Sequence, residues 1–427
     1  MPAKTFQQTE ARERRQENES VAESFLSEDA NNAEILTAAM LPADPLLPDP
    51  WSGELPWEVL SAMIEGKSSI DLTSMPVYSR EEAKEMVYSY GFDLDLPEDM
   101  AEMEAYFIEA VNFIEHRFLS RSIDWAAHGE PLPPLDKIPL SVTASRSVID
   151  LLLLAAQKDH PNRPWACALL KVMHTLVYIQ NSPLYKYHAQ ASETILSRFR
   201  EVMLPENDGT VVLQGRYDRK LTLYAFEAKH HKPRESILIK LLCKKENVAE
   251  NVWDLVGVRL VTFHPAQAIL AVDILREQKV MLFPNVIPSR SRNTLIDFAH
   301  FRELYEGQWE QYKLGNVSLE EIQKLFETED FVTPEETHSS QNPLSSPQYR
   351  SLHITCRQLL RVKSAGSFAE TRFAFPYEVQ ILDKASYLDS KVGHGAHASY
   401  KQRQLFAARR RVLGRLLQNP VENAPPL

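Results

Sequence analysis

Four short stretches in the second half of the chain carry side chains suited to handling phosphate. The first is cationic: Lys229, His230, His231, Lys232, Arg234, Lys240, Lys244 and Lys245 fall close together. Lys232, Ser236 and Lys240 are spaced by four, so on a helix they share one face. Cations placed in this way can grip a polyphosphate without a glycine-rich loop. The same spacing also describes a solvated helix face. The second stretch is Asp254-Leu-Val-Gly-Val-Arg259, at the entry to an apolar run. A carboxylate there can hold Mg²⁺, which takes one or two carboxylates plus phosphate oxygens; an Asp ahead of a strand also serves as a turn former. The third is Tyr349-Arg-Ser-Leu-His353, whose Tyr can stack on a base or stand as a half-buried edge aromatic. The fourth is Glu378-Val-Gln380, where a period of two puts both polar groups on one face of a strand. A charge in mid-strand needs a partner, a metal or water. Two carboxylates, a cationic helix and an aromatic platform together describe a phosphoryl-transfer site.

The elements that must position these groups read as follows. Met103, Phe107, Val111, Ile114 and Phe118 recur at helical spacing, and Ser79 with Glu82 forms a capping-box signature ahead of them. Further helices are expected over 145–157 and 164–179. Past Val211 short β-rich runs alternate with helices. Strands are expected at Val211–Leu213, Leu221–Phe226 and Val256–Phe263, and in the alternating runs around Leu352–Cys356 and Phe375–Ile381. Lys232–Lys245 reads as an amphipathic helix with Ile237, Leu238, Leu241 and Leu242 on its apolar side, and Lys384–Leu417 as one helical stretch. Ser318 and Glu321 cap a helix inside a long insertion. The expected fold class is α+β: an all-helical domain over 56–205, then a mixed-sheet, nucleotidyltransferase-like domain over 206–418, flanked by helices and carrying an insertion at about 295–347. Residues 1–55, polar and then proline-rich, read as a disordered leader, and 419–427 as a tail.

Composition narrows the function. The 427 residues carry a net charge of −11, which argues against a general nucleic-acid coat. Glycine is scarce, 13 in all, and neither G-x-x-x-x-G-K-[ST] nor G-x-G-x-x-G occurs, so cationic side chains must do most of any phosphate binding. Cys167, Cys243 and Cys356 are far apart and fit a reducing cytosol better than a disulfide framework. No apolar run approaches the roughly 20 residues that span a bilayer. These features lead to the expectation of a cytoplasmic protein with no membrane partner.

In order along the chain, the four stretches resemble the synthetase domain of the RelA/SpoT family, the (p)ppGpp synthetases. The motifs are Lys232-Pro-Arg-Glu-Ser-Ile-Leu-Ile-Lys240, Asp254-Leu-Val-Gly-Val-Arg259, Gln348-Tyr-Arg-Ser-Leu-His-Ile354, Glu378-Val-Gln-Ile-Leu-Asp383 and Ala396-His-Ala-Ser-Tyr-Lys401. The resemblance covers roughly 215–402. It implies transfer of the β,γ-diphosphate of ATP to the 3′-hydroxyl of GDP or GTP, with Mg²⁺ as cofactor. It implies Asp254 as metal ligand, Glu378 as base or second metal contact with Gln380 orienting it, and Tyr349 as the acceptor-guanine platform with His353 beside it. Lys232, Lys240 and Arg259 would then contact the donor ATP. The chain departs from the pattern at His230, Gln348 and Leu382-Asp383, where the family has Arg, Gly and Arg-Thr; the nearest match to the family's basic loop is Arg290 and Arg292 with the run 293–297. No His-Asp dipeptide occurs, so no family-type hydrolase half is expected. Two other readings keep the fold: an RNA 3′ end as acceptor, suggested by Arg409-Arg410-Arg411 and Arg415, and a nucleotide-sensing or scaffold protein with a degenerate site.

Overall fold

The computed structural model describes residues 57–73, 75–229, 232–244, 252, 254–331, 350–363, 370–392 and 397–418. The expected leader and tail, the platform Tyr349, His230 and His231, Gln348 and the segment 332–347 lie outside the described residues.

The fold class is α+β. The helices of the first half are α1 (Trp57–Ile64), α2 (Arg80–Ser89), α3 (Pro97–Phe113), α4 (Val148–Ala156), α5 (Arg163–Asn181) and α6 (His188–Val202). Local sequence explains their starts. The Ser79 hydroxyl accepts from the Glu82 amide at 3.1 Å, and Pro97 and Pro164 sit in first turns where a missing N–H costs nothing. α5 is the axis of this layer: Trp165, Leu169, Val172 and Leu176 are almost fully buried, and α3 and α4 pack against it.

The strands form two sheets. β1 (Met203–Pro205), β2 (Val211–Gln214) and β3 (Lys220–Leu223) make a small antiparallel sheet. β4 (Ala225–Lys229), β5 (Val256–Thr262), β6 (Arg292–Asn293), β7 (Leu352–Lys363) and β8 (Glu370–Asp383) make a mixed sheet in the order β4-β5-β8-β7-β6. Only β5 and β8 run parallel; the other pairs are antiparallel. The strand expected over Leu221–Phe226 is divided between the two sheets. Leu221 and Leu223 stay with β2, whereas the Tyr224 amide already bonds to the Val261 carbonyl of the larger sheet at 2.7 Å. The helices of the second half are α7 (Arg234–Cys243), α8 (Gln267–Glu277), α9 (Phe298–Lys313), α10 (Leu319–Thr328), α11 (Lys384–Val392) and α12 (His397–Leu413). Ser318 and Glu321 form the complete capping box ahead of α10. The stretch expected as one helix over Lys384–Leu417 is instead three, with Gly414 at φ +29° separating α12 from a final turn, Arg415–Gln418.

One face of the mixed sheet is apolar. Val256, Val258, Leu260, Phe375, Tyr377, Val379 and Ile381 alternate inward; the main hydrophobic core runs from Ile70 to Leu417, and a smaller cluster gathers Ala266, Ile296, Phe301 and Phe331. α6 lies against this face; His188 bonds the Leu255 carbonyl through Nε2 at 3.1 Å, and Arg198 donates to Gln358. α12 packs on both α5 and α7 and closes the core.

The arginines of α12 are used internally. Arg409 is fully buried, with its guanidinium 4.0 Å from the centre of the Trp125 ring and its Nε donating to the Phe118 carbonyl. Glu130, itself buried, pairs with Arg410 at 2.6 Å and faces Arg409 at 3.9 Å. Arg411 grips Asp71 with two hydrogen bonds, at 2.6 and 2.8 Å. Of the basic helix end expected to be solvated or RNA-facing, Arg409 and Arg411 instead hold α12 to the helical layer, while the Arg410 side chain pairs with Glu130 and stays 63% exposed. Among the described residues no helix is long and apolar enough to cross a membrane.

Candidate functional site

The opposite face of the mixed sheet is polar, and strand register places its groups. Glu227 of β4 stands opposite Arg259 of β5, which neighbours Gln380 of β8, which neighbours His353 of β7, itself opposite Arg292 of β6. In the adjacent row Lys229, Gly257, Glu378 and Thr355 follow one another across the same four strands from β4 to β7. Side chains of directly paired residues point to one side of a sheet. Glu227, Lys229, Arg259, Glu378, Gln380 and His353 therefore share one surface.

Hydrogen bonds run along these rows. Arg259 donates to Gln380 Oε1 through Nη2 at 3.0 Å and Nε at 3.3 Å, and to Glu227 Oε2 through Nη1 at 3.1 Å. With its carbonyl oxygen so engaged, Gln380 turns its amide outward and donates through Nε2 to Glu378 Oε2 at 2.8 Å. His353 Nδ1 lies 3.4 Å from Glu378 Oε1. The Glu378 carboxylate thus has a partner on each oxygen. The other end of the row is closed by α11, where Tyr387 Oη and Lys391 Nζ donate to Glu227 Oε1 at 2.5 and 3.0 Å.

Beside this face stands a second cluster. Asp254, just ahead of β5, accepts from Lys232 Nζ at 2.8 Å and from Lys240 Nζ at 2.5 Å, one lysine on each oxygen. Lys240 projects from α7, whose Ile237, Leu238, Leu241 and Leu242 are all buried as expected. Anchoring of that apolar side fixes where the lysine can reach. Both lysine side chains are at most one-fifth exposed.

The electrostatics follow from this packing. Burial works to raise the Asp254 carboxyl, but Lys240 and Lys232 outweigh it and hold it far below the usual carboxylate range. Burial pushes the Lys232 ammonium down to about 8 against the pull of Asp254. Lys240 is also desolvated, yet its closer contact with Asp254 leaves it raised. Burial and the neighbouring Lys240 push Lys244 down to about 8. Burial favours the protonated form of Glu378, but the hydrogen bond and charge of His353 outweigh it and keep the carboxyl below its ordinary value. At neutral pH the surface holds ionised carboxylates at 254 and 378, with cations at 232, 240 and 259 around them.

The oxygen donors suit a hard divalent cation. The Asp254 oxygens each keep a lone pair beyond the lysine contact, and the Asp254 charge acts directly on Glu378. Among the described residues no three His, Cys, Asp or Glu side chains converge into a cage.

The structure brings together Asp254, Lys232 and Lys240 in one cluster, and Arg259, Glu378, Gln380 and His353 in another beside it. Glu227, Tyr387 and Lys391 went unremarked in the sequence. The signal for Glu227 was the alternation Glu227-Ala-Lys229 just before the cationic helix; the other two become visible only when α11 folds back over the sheet edge.

No family profile matches the chain, and no curated protein matches it. Among solved structures it is similar to the small alarmone synthetase 1 from Bacillus subtilis bound to its product pppGpp, at 14% identity and a TM-score of 0.28, over 55% of this chain and 91% of that one. It is similar to a GTP pyrophosphokinase family protein from Streptococcus pneumoniae at 15% identity and a TM-score of 0.26, over 55% and 88%. The small alarmone synthetase 2 from Bacillus subtilis aligns at 16% identity and a TM-score of 0.24, over 55% and 92%. Likenesses this slight carry no weight for substrate or activity.

Proposed function

We propose that the chain is an ATP-dependent pyrophosphokinase that moves the β,γ-diphosphate of ATP to the 3′-hydroxyl of GDP or GTP. The observation that carries the reading is the pairing of two arrangements on neighbouring elements. Lys232 and Lys240 converge on Asp254, and a carboxylate at Glu378 is partnered by Gln380 and His353 on the open sheet face next to Arg259. Lys232 and Lys240, whose mutual repulsion Asp254 offsets, would serve as the cations that receive a triphosphate. Mg²⁺ would be held by Asp254, with Glu378 as a second oxygen donor, and would neutralise phosphate charge there. Glu378 takes the proton of the 3′-hydroxyl; the freed oxygen forms a bond to the β-phosphorus, and the α,β-bridging bond breaks to release AMP. The lowered proton affinity of Glu378 belongs to the nucleotide-free site. A bound polyphosphate adds negative charge beside it and raises that affinity toward the range useful for a base. Most of the rate would come from positioning and charge stabilisation.

The direct test incubates purified protein and Mg²⁺ with labelled ATP and GDP or GTP. AMP and a 3′-diphosphorylated nucleotide are expected together. If neither forms with any nucleotide or RNA acceptor, the enzyme reading is wrong.

A nucleotide sensor without turnover is the second reading, favoured by the engagement of both Asp254 oxygens with lysines. It predicts a rise in melting temperature with ATP or GTP and no product. An RNA acceptor is less favoured, since Arg409 and Arg411 are engaged within the fold, although the Arg410 side chain is 63% exposed.

A further inference from the structure

The helical layer contains a cavity of about 140 Å³ that has no part in the site above. Its walls are almost wholly apolar and unusually rich in methionine: Met75, Met86, Met103 and Met173 all line it. A cavity of roughly 150 Å³ lined by aliphatic and aromatic side chains stays dry and accepts a single-ring ligand such as benzene. Methionine walls adapt their shape to what they enclose. The polar lining groups include Ser69, Tyr90, His174 and Lys171. His174 meets the Tyr90 hydroxyl through Nδ1 at 3.0 Å and the Ser69 hydroxyl through Nε2 at 3.2 Å. Ser69 and Tyr90 are exposed, so their side is the mouth. Burial holds the His174 imidazole down at about 4, so it is neutral under ordinary conditions and offers an anion no counter-charge.

The wall is also tied to the cationic cluster. Ser69 and Ile70, which line the cavity, belong to the same single turn as Asp71. Asp71 grips Arg411, and Arg411 Nη1 donates to the Leu242 carbonyl at 3.2 Å and to the Lys244 carbonyl. Lys171, another wall residue, donates to the Arg411 carbonyl at 3.3 Å. Two wall segments therefore converge on the residue that secures the last turn of α7, one turn from Lys240.

We propose that this cavity is an effector site for an uncharged, mainly apolar, small aromatic molecule of one ring or two fused rings, and that its occupant steadies the last turn of α7 through Asp71 and Arg411.

The probes are indole and toluene, with benzoate as the charged control. Both neutral rings raise the melting temperature of the wild type, and benzoate does not. Val177→Phe narrows the cavity, and Met86→Phe, at a half-buried wall position, does so where the first variant fails to fold. In a folded variant, indole affinity falls about tenfold or more, the loss of a buried ring's contacts. Amide exchange at 242–244 slows about fivefold with indole bound, a coupling of ordinary size. In Asp71→Asn, indole still binds and that slowing is lost. The site is refuted if no neutral ring binds, or if a narrowed, folded variant binds indole as well as the wild type. The link to α7 is refuted if exchange at 242–244 is unchanged on binding, or slows equally in Asp71→Asn. None of these readouts depends on nucleotide turnover.

Discussion

Replacing Asp254 by Asn gives the sharpest test of the cationic cluster, because stability and nucleotide binding should move in opposite directions. In the wild type each carboxylate oxygen accepts from one lysine, at 2.8 and 2.5 Å. The Asn amide keeps one acceptor and turns an N–H₂ group toward the other ammonium. Breaking a buried pair by removing one partner costs about 3–5 kcal/mol. The side chains here are 16–27% exposed, so the lower end, about 3 kcal/mol, applies. For a body of this size that is a fall in melting temperature of roughly 5 °C. The two stranded lysines then seek another anion. ATP without Mg²⁺ should bind the variant more tightly than the wild type and return most of the lost stability. Its Mg²⁺ dependence should flatten, since an amide is a poor ligand for a hard cation. The assay is a melting curve with and without ATP, each with Mg²⁺ or with chelator. An unchanged melting temperature would refute the cluster, and weaker Mg²⁺-free ATP binding would refute its role as a phosphate clamp.

Other perturbations act on separate parts of the fold. Glu378→Gln should lower turnover by about 10²–10⁴-fold with ATP binding largely intact, as loss of a general base does; full activity would remove Glu378 from the mechanism. ATP affinity should be steady below pH 8 and weaken above it as Lys232, with a pKa of about 8, loses its charge, followed by titration calorimetry across that range. The sign is fixed because the protonated form grips the phosphate; a rise in affinity above pH 8 would contradict it. Glu130→Gln removes the counter-charge of the fully buried Arg409 and should destabilise the fold by about 3 kcal/mol, read from denaturant unfolding. An equally stable variant would show that the Trp125 ring and the Phe118 carbonyl satisfy Arg409 by themselves.

Much of the site was legible because its groups sit on regular elements. Glu378 with Gln380 shared a strand period, so their common face follows from spacing alone; Lys232 instead lies ahead of α7, outside the helix it was expected to share with Lys240, and the two meet through Asp254. The pairing of Arg259 with Glu227 was not legible, since it depends on the register of β4 against β5, which neither strand encodes by itself. The run Arg409-Arg410-Arg411 misled for a geometric reason. Consecutive helical residues are rotated by about 100°, so three in a row cannot all face water on a helix that packs on two sides. Which of them turns inward was set by Trp125, Glu130 and Asp71, far away in sequence. The break at Tyr224 was hidden likewise, because both halves of that run are good strand sequence and only their partners differ.

The placement of α12 has a consequence for how the chain reaches its native state. Its arginines join Phe118 and Asp71 across 291 and 340 residues of sequence, and α12 lies against both α5 and α7. Contacts this distant in sequence form late, because the entropy of closing so large a loop is lost before the contact repays it. The helical layer must therefore wait, with Trp125 and Glu130 uncovered, until the strands between have formed and α12 arrives. During synthesis that wait lasts at least until α12 has left the ribosome. The helical layer would then collapse into an expanded, loosely packed intermediate, and a fragment ending before α12 would bind hydrophobic dyes while the full chain does not.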